Sequence, residues 1–176
     1  MKRILVIGSG GSGKSTLSVK LGASLGIEVF HLDKLFWNAG WIETDRDKWQ
    51  NVVTKLLSRE KWIIDGNFSG TLQQRIVSCD TIVFLDFSRA LCLWRIFKRR
   101  FHYHQRTRPD MAEGCNERLN LEFVEWILNY PRRTRPKVLK LMSLNATNKK
   151  IFWLKSPQQV KAFLLSLEKP SPGSTL

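Results

Sequence analysis

The sequence predicts an α/β fold, a parallel sheet flanked by helices, on three observations. Short apolar runs alternate with longer stretches of helical period, the order that βαβ units produce. The first run, RILVIG (3–8), feeds directly into a glycine-rich turn, GSGGSGKST (8–16), and then into a helical pattern. Three later runs finish in carboxylates, at Asp33, Asp65 and Asp86, which lines acidic groups along the carboxyl edge of the sheet, where open α/β sheets take ligands. At 176 residues the chain reads as one domain, 1–176. Its 43% hydrophobic residues, including 7 Trp and 10 Phe, are enough for a sizeable core.

Each element follows from its local pattern. Residues 3–8 are a buried strand, and the turn after them opens a helix over about 14–25, stopped by Gly26. IEVFHLD (27–33) is a second strand, and DKLFWNAGWIE (33–43) a loop with two tryptophans. Thr44 caps a helix to about Ser58, with Asp45 and Asp47 in its first turn, where the helix dipole favours acids. KWIID (61–65) is the third strand, followed by the turn residues Gly66 and Asn67. Residues 71–78 form a short helix and TIVFLD (81–86) the fourth strand, after which Asp86 serves as a turn or cap residue. A helix runs from Ser88 to about Phe101. A basic excursion, RRFHYHQRTRPD (99–110), follows, then a helix over 116–129, a break at YPRRTRP (130–136) and a helix to about Leu144. IFWLK (151–155) is the fifth strand; Ser156-Pro157 opens the last helix, and residues 169–176 are a frayed tail.

Composition narrows the setting. No run approaches the ~20 apolar residues of a membrane span, and residues 4–7 are too few for a signal peptide's core. Cys79, Cys92 and Cys115 are odd in number and lack C-x-x-C spacing, so they read as reduced packing thiols. These features predict a cytoplasmic protein, monomeric or weakly dimeric, with no membrane partner. The net charge of +14 is unevenly placed: residues 89–150 hold 15 Lys/Arg against 5 Asp/Glu, a net of +10. That segment faces either solvent or an anionic partner, the candidates being polyphosphate, nucleic acid and an acidic membrane surface.

The glycine turn fits two phosphate patterns. Gly8, Gly10 and Gly13 spell a dinucleotide fingerprint, with Asp33 at the acidic position about 20 residues on. Gly8, Gly13, Lys14 and Ser15 spell G-x-x-x-x-G-K-S. A lysine at a helix N-terminus opposes the dipole unless an anion sits there, and a triphosphate supplies one. The turn is therefore a P-loop, with Gly8, Gly10, Gly11, Ser12, Gly13, Lys14, Ser15 and Thr16 around ATP, and the Ser15 hydroxyl on Mg²⁺. Asp33 then faces the phosphate acceptor, to orient or deprotonate a hydroxyl attacking the γ-phosphate. Asp65 takes the position from which an acid holds Mg²⁺ or its waters. Arg95 and Arg99, one helical turn apart with Arg100 beside them, suit the charge that develops in phosphoryl transfer. Arg108, Arg118, Arg132, Arg133 and Arg135 lie on or near the excursion. His102 and His104 have no carboxylate beside them and do not suggest a metal. Trp37 and Trp41 either pack or stack on a base.

The order GSGGSGKST, HLD, WIIDGNF and FLD-x₈-R-x₃-RR resembles the adenylate-kinase-like branch of P-loop kinases. HLDKLFW, DGNFSGTL…R, TRPDMAEGCNERL and LKSP are similar to the DNA topology modulation (FlaR-related) proteins, over nearly the whole chain to about residue 167. The resemblance implies a five-stranded parallel sheet in the order 2-3-1-4-5, a substrate arm near 35–60 and a helical lid near 100–130. It places Arg95 and Arg99 against the ATP base and phosphates, gives Arg108, Arg118 and Arg132 as lid arginines, and matches Asp33 and Asp65 to the acceptor and Mg²⁺ positions. The substrate arm departs from that of adenylate kinases, and DGNF replaces DGFPR, leaving Arg75 as the nearest substitute for the missing arginine. The resulting expectation is Mg²⁺-ATP-dependent phosphoryl transfer to a small nucleotide- or nucleoside-like acceptor. Catalysis would rest on Lys14, Asp33, Arg95, Arg99 and Arg132. Acceptor contacts would come from Asp33, Trp37, Asp65, Asn67, Arg75 and Arg108. Two other readings stand beside it: an ATP-binding protein that meets nucleic acid through the basic segment, and a non-catalytic P-loop module.

Overall fold

The computed structural model describes residues 1–103, 107–118 and 120–168; His104 and the tail 169–176 lie outside the described residues. In chain order the elements are β1 (Arg3–Gly8), α1 (Lys14–Leu25), β2 (Val29–His31), α2 (Leu32–Phe36), β3 (Trp37–Asn38), a 3₁₀ turn (Ala39–Trp41), β4 (Ile42–Glu43), α3 (Arg46–Leu57) and β5 (Trp62–Asp65). Then come α4 (Ser69–Ser78), β6 (Thr81–Leu85), α5 (Arg89–His102), α6 (Leu121–Arg133), α7 (Arg135–Leu144), β7 (Lys150–Leu154) and α8 (Pro157–Glu168). Five strands form one parallel sheet, β2-β5-β1-β6-β7. Counted along the sheet's own strands, this is the order 2-3-1-4-5. The extra labels belong to a small antiparallel hairpin, β3 with β4.

Strand alternation divides the core in two. Leu5, Ile7, Ile64, Ile82 and Phe84 face α3, α4 and α7, meeting Val53, Ile76 and Val138. Ile4, Val6, Ile63, Val83 and Leu85 face the other way, onto Leu17 and Leu21 of α1, Ile96 of α5, Ile127 of α6 and Phe163 of α8. With both faces covered, the three middle strands are apolar between their ends, as a parallel sheet requires. This rigid slab sets the carboxyl edge on which the site is built.

Four local expectations are corrected. The second strand stops at His31, and Asp33 lies in the first turn of α2 rather than at a strand end. The stretch expected as a loop folds into α2 and the hairpin. Asp45, not Thr44, caps α3, its carboxylate accepting from the N–H groups of Asp47 and Lys48. Thr44 instead donates its hydroxyl to the Phe36 carbonyl, which closes the base of the hairpin. The helix expected from 116 begins at Leu121, where Asn120 caps it, and it continues through Pro131 to Arg133. Proline removes one donor there but does not end the helix: Ile127 and Tyr130 are buried and pin the last turns, Thr134 N–H still reaches the Tyr130 carbonyl, and the expected break falls at Thr134, between α6 and α7.

Candidate active site

The glycine turn is shaped by what surrounds it. Gly11 and Gly13 adopt left-handed φ of 74° and 92°, conformations that favour glycine. A Cβ on Gly11 would lie 2.3 Å from the Cys92 carbonyl oxygen, and one on Gly10 would lie 2.6 Å from the Phe123 ring. The turn therefore wraps tightly against α5 and α6. Asn67 fixes its start: its amide donates to the Gly8 carbonyl at 2.7 Å and accepts from Gly8 N–H at 3.3 Å.

At the N-terminus of α1, Gly13 offers no side-chain cap and the first turn holds no acid. The free N–H groups there are left to an external acceptor. Lys14 folds over the turn, with Nζ donating to the carbonyls of Gly8 (3.1 Å) and Ser9 (3.0 Å). The Ser12 hydroxyl is buried and has no partner among the described residues. A cationic loop with an open helix end and an orphaned hydroxyl suits a polyphosphate.

The turn opens into a cavity of about 1450 Å³. Asp33 lines it from α2, and Trp37 and Trp41 line it from the hairpin, their rings 5.5 Å apart edge to face. Phe36 and Phe68 extend this aromatic wall, 4.8 Å apart. Arg95, Arg99, Arg108 and Arg118 line the cavity as well. Arg95 Nη1 donates to the Ser12 carbonyl at 3.0 Å, so it rests directly on the turn. Arg118 lies over the Trp41 ring at 4.9 Å.

Burial shifts the charged groups. Lys14 is held below its ordinary pKa by burial, against the pull of Asp33 and Asp65. Asp33 is raised, again by burial, with the Lys14 cation opposing. Burial disfavours a cation on His31, but the hydrogen bond and charge of Asp65 outweigh it and raise the pKa. Asp110 is lowered: burial works the other way, and Arg108 and the Ser15 hydroxyl prevail.

Of the residues singled out from sequence, the cavity brings together Gly10 to Thr16, Asp33, Trp37, Asn67, Arg95, Arg99 and Arg108. Gly8, Asp65, Arg75 and Arg132 do not line it. Asp65 is 2% exposed and turns its Oδ2 onto His31 Nδ1 at 2.6 Å. Arg75 is fully buried and donates to the carbonyls of Gly66, Asn67, Phe68 and Thr71, so it clamps the turn after β5 instead of facing an acceptor. Its acceptors include no carboxylate, and burial takes its pKa down to about 9. Arg132 is exposed on the last turn of α6, and Arg135 pairs with Asp86.

Sequence reasoning missed three polar groups of the cavity. His31 was legible only as part of HLD. Asp110 follows Arg108 by two residues and hydrogen-bonds the Ser15 hydroxyl, and Glu117 sits between Arg99 and Arg108. Both acids lie in a segment whose charge balance hides them.

No family model matches the chain, and no curated protein matches it. Solved structures do, and what they share with it is the α/β fold, a parallel sheet flanked by helices. A shikimate kinase from Acinetobacter baumannii, in complex with shikimate, is similar at a TM-score of 0.59 and 16% identity, over 95% of this chain and 90% of that one. A shikimate kinase from Bacteroides thetaiotaomicron is similar at 0.50 and 18%, over 95% and 96%. At these identities the likeness establishes the fold. Among the described residues, no helix is long and apolar enough to cross a membrane.

Proposed function

We propose that the chain is a Mg²⁺-ATP-dependent kinase that transfers a phosphoryl group to a small nucleotide- or nucleoside-like acceptor. One observation carries the reading: Lys14 and Ser15 of the P-loop share a single cavity with Asp33 and the Trp37–Trp41 wall. Lys14 and the free N–H groups of α1 bind phosphate oxygens. Asp33, its pKa raised toward the working range, orients an acceptor hydroxyl and takes its proton. Arg95 and Arg99 stabilise the charge that spreads over the transferred group. The aromatic wall gives a planar acceptor a face to stack on and keeps water from the reacting atoms.

The donor set suits Mg²⁺, which takes few protein oxygens and keeps several waters. Ser15 would hold it, and Asp110, bonded to Ser15, stands where Asp65 was expected; Asp65 is committed to His31. Bound there, the ion would neutralise phosphate charge.

The test is ATP turnover against a panel of nucleoside monophosphates, nucleosides and small alcohols. One compound should raise turnover sharply, and Lys14→Ala should abolish the rise. A flat panel, or stimulation that survives Lys14→Ala, overturns the reading.

A further inference from the structure

Glu117 is a negative charge placed beside a loop built for anions, so its presence needs a reason. It is buried, at 5% exposure. Its Oε1 accepts from Arg99 Nε at 2.8 Å, and its Oε2 lies 2.7 Å from Arg108 Nε. Arg99 comes from α5 and Arg108 from the following loop, and both line the cavity. Arg108 also donates through Nη1 to both oxygens of Asp110, at 3.0 and 2.9 Å. One carboxylate thus bridges two arginines from different segments and fixes two long, rotamer-rich side chains in one arrangement.

The backbone around Glu117 is itself clasped by the hairpin. Gly40 N–H donates to the Gly114 carbonyl at 3.2 Å, Cys115 Sγ to the Asn38 carbonyl at 3.1 Å, and Trp41 Nε1 to the Asn116 carbonyl at 3.1 Å. A Cβ on Gly114 would approach Ala39 Cβ to 2.9 Å, so the clasp is close. Residue 117 is therefore one step from the stretch that touches the acceptor wall.

We infer that Glu117 is a positioning residue. It presents Arg99 and Arg108 as a pair to the phosphate-binding loop, and its place on the clasped stretch ties that pair to the Trp41 wall. The inference rests on the triphosphate reading of the cavity and not on the identity of the acceptor.

The sign of one measurement tests it. Calorimetric titration with ATP and with AMP is compared for wild type, Glu117→Gln and Glu117→Asp, each checked for folding by thermal melt. If Glu117 acts only as a nearby charge, removing it relieves repulsion and tightens ATP binding. As a positioning residue, its replacement by Gln weakens ATP binding about tenfold, the size of coupling found within one ion-pair network, and leaves AMP nearly unchanged. Glu117→Asp keeps the charge but is too short to span both arginines, and should weaken ATP similarly. In a cycle with Arg99→Lys the losses should be non-additive, since both act through one contact. ATP binding that is tighter or unchanged in these variants, or additive losses, overturns the assignment. Trp41→Phe keeps the ring but loses its bond to Asn116, and an unchanged ATP affinity in it overturns the tie to the acceptor wall. Lys14→Ala separates the two levels: wild type that binds ATP no better than this variant overturns the triphosphate reading itself, and the Glu117 assignment with it.

Discussion

Lys14 and Asp33 line one cavity, where burial works against the charge on each and the opposite charge of the other favours it. The raised pKa of Asp33 has two consequences of opposite sign. As the acceptor's base it works only when ionised, so kcat/KM should fall as pH drops through a value above the ordinary carboxylate range of about 4. Asp33→Asn should remove that acid limb and about 100-fold or more of the rate. For stability, the folded state holds the Asp33 proton to higher pH than the unfolded chain does, so stability falls as pH rises between the two values. The same variant should therefore be no less stable near neutrality than wild type. A pH–rate profile paired with thermal melts checks both, and a retained acid limb in Asp33→Asn removes Asp33 from the chemistry. That Lys14 and Ser15 belong to a site was legible in the sequence, because a lysine at a helix start is unfavourable without an anion, and the cavity holds both. Arg75 was not, since its guanidinium meets the turn's carbonyls only once α4 folds back under β5. His31 and Asp65 show the same limit: they are opposite partners in the β2–β5 register, a proximity that no spacing along the chain reveals.

At the scale of elements, Asp86 links three pieces of structure. It ends the strand run of β6, accepts two bonds from Arg135 at the start of α7, each 2.9 Å, and accepts from Trp153 Nε1 of β7 at 2.9 Å. Burial alone would raise its carboxyl, but the bonds and charges of Arg135 and Trp153 hold it below the ordinary range. Its contribution to stability is thus present above the unfolded carboxylate value and lost as pH falls through the lower folded one. Asp86→Asn should cost about 1 kcal/mol at neutral pH, a modest figure because Arg135 is about one-third exposed. The difference should shrink in high salt and vanish in strong acid, as urea titrations would show. A loss that is the same at all pH values would make the contact one of shape rather than charge. Among the elements, the inner strands β1, β5 and β6 were legible because both their faces are covered and each carries a run of at least three apolar residues. The hairpin was not, because two-residue strands carry no period, and its fold depends on Thr44 and on the 114–116 stretch.

The whole molecule carries +14, and the fold divides that charge between two uses. Arg99, Arg108 and Arg135 are paired with Glu117, Asp110 and Asp86, whereas Arg89, Lys98, Arg132, Arg133, Lys137 and Lys140 are exposed on α5, α6 and α7. The exposed set lies outside the cavity lining, so a polyanion and a triphosphate would meet different parts of the surface. Duplex DNA should then bind only in low salt, with an affinity that falls steeply with log salt as released counterions dictate. Charge reversal at several of the exposed positions should abolish that binding and leave ATP affinity intact. Lys14→Ala should do the reverse. Filter binding at a series of salt concentrations, run beside ATP titration, measures both. Under the kinase reading the two are independent, because nothing in the cavity needs the outer cations. DNA that stimulates ATP turnover, with the stimulation lost in Lys14→Ala, would join the two surfaces into one machine and make nucleic acid the partner that the basic segment serves.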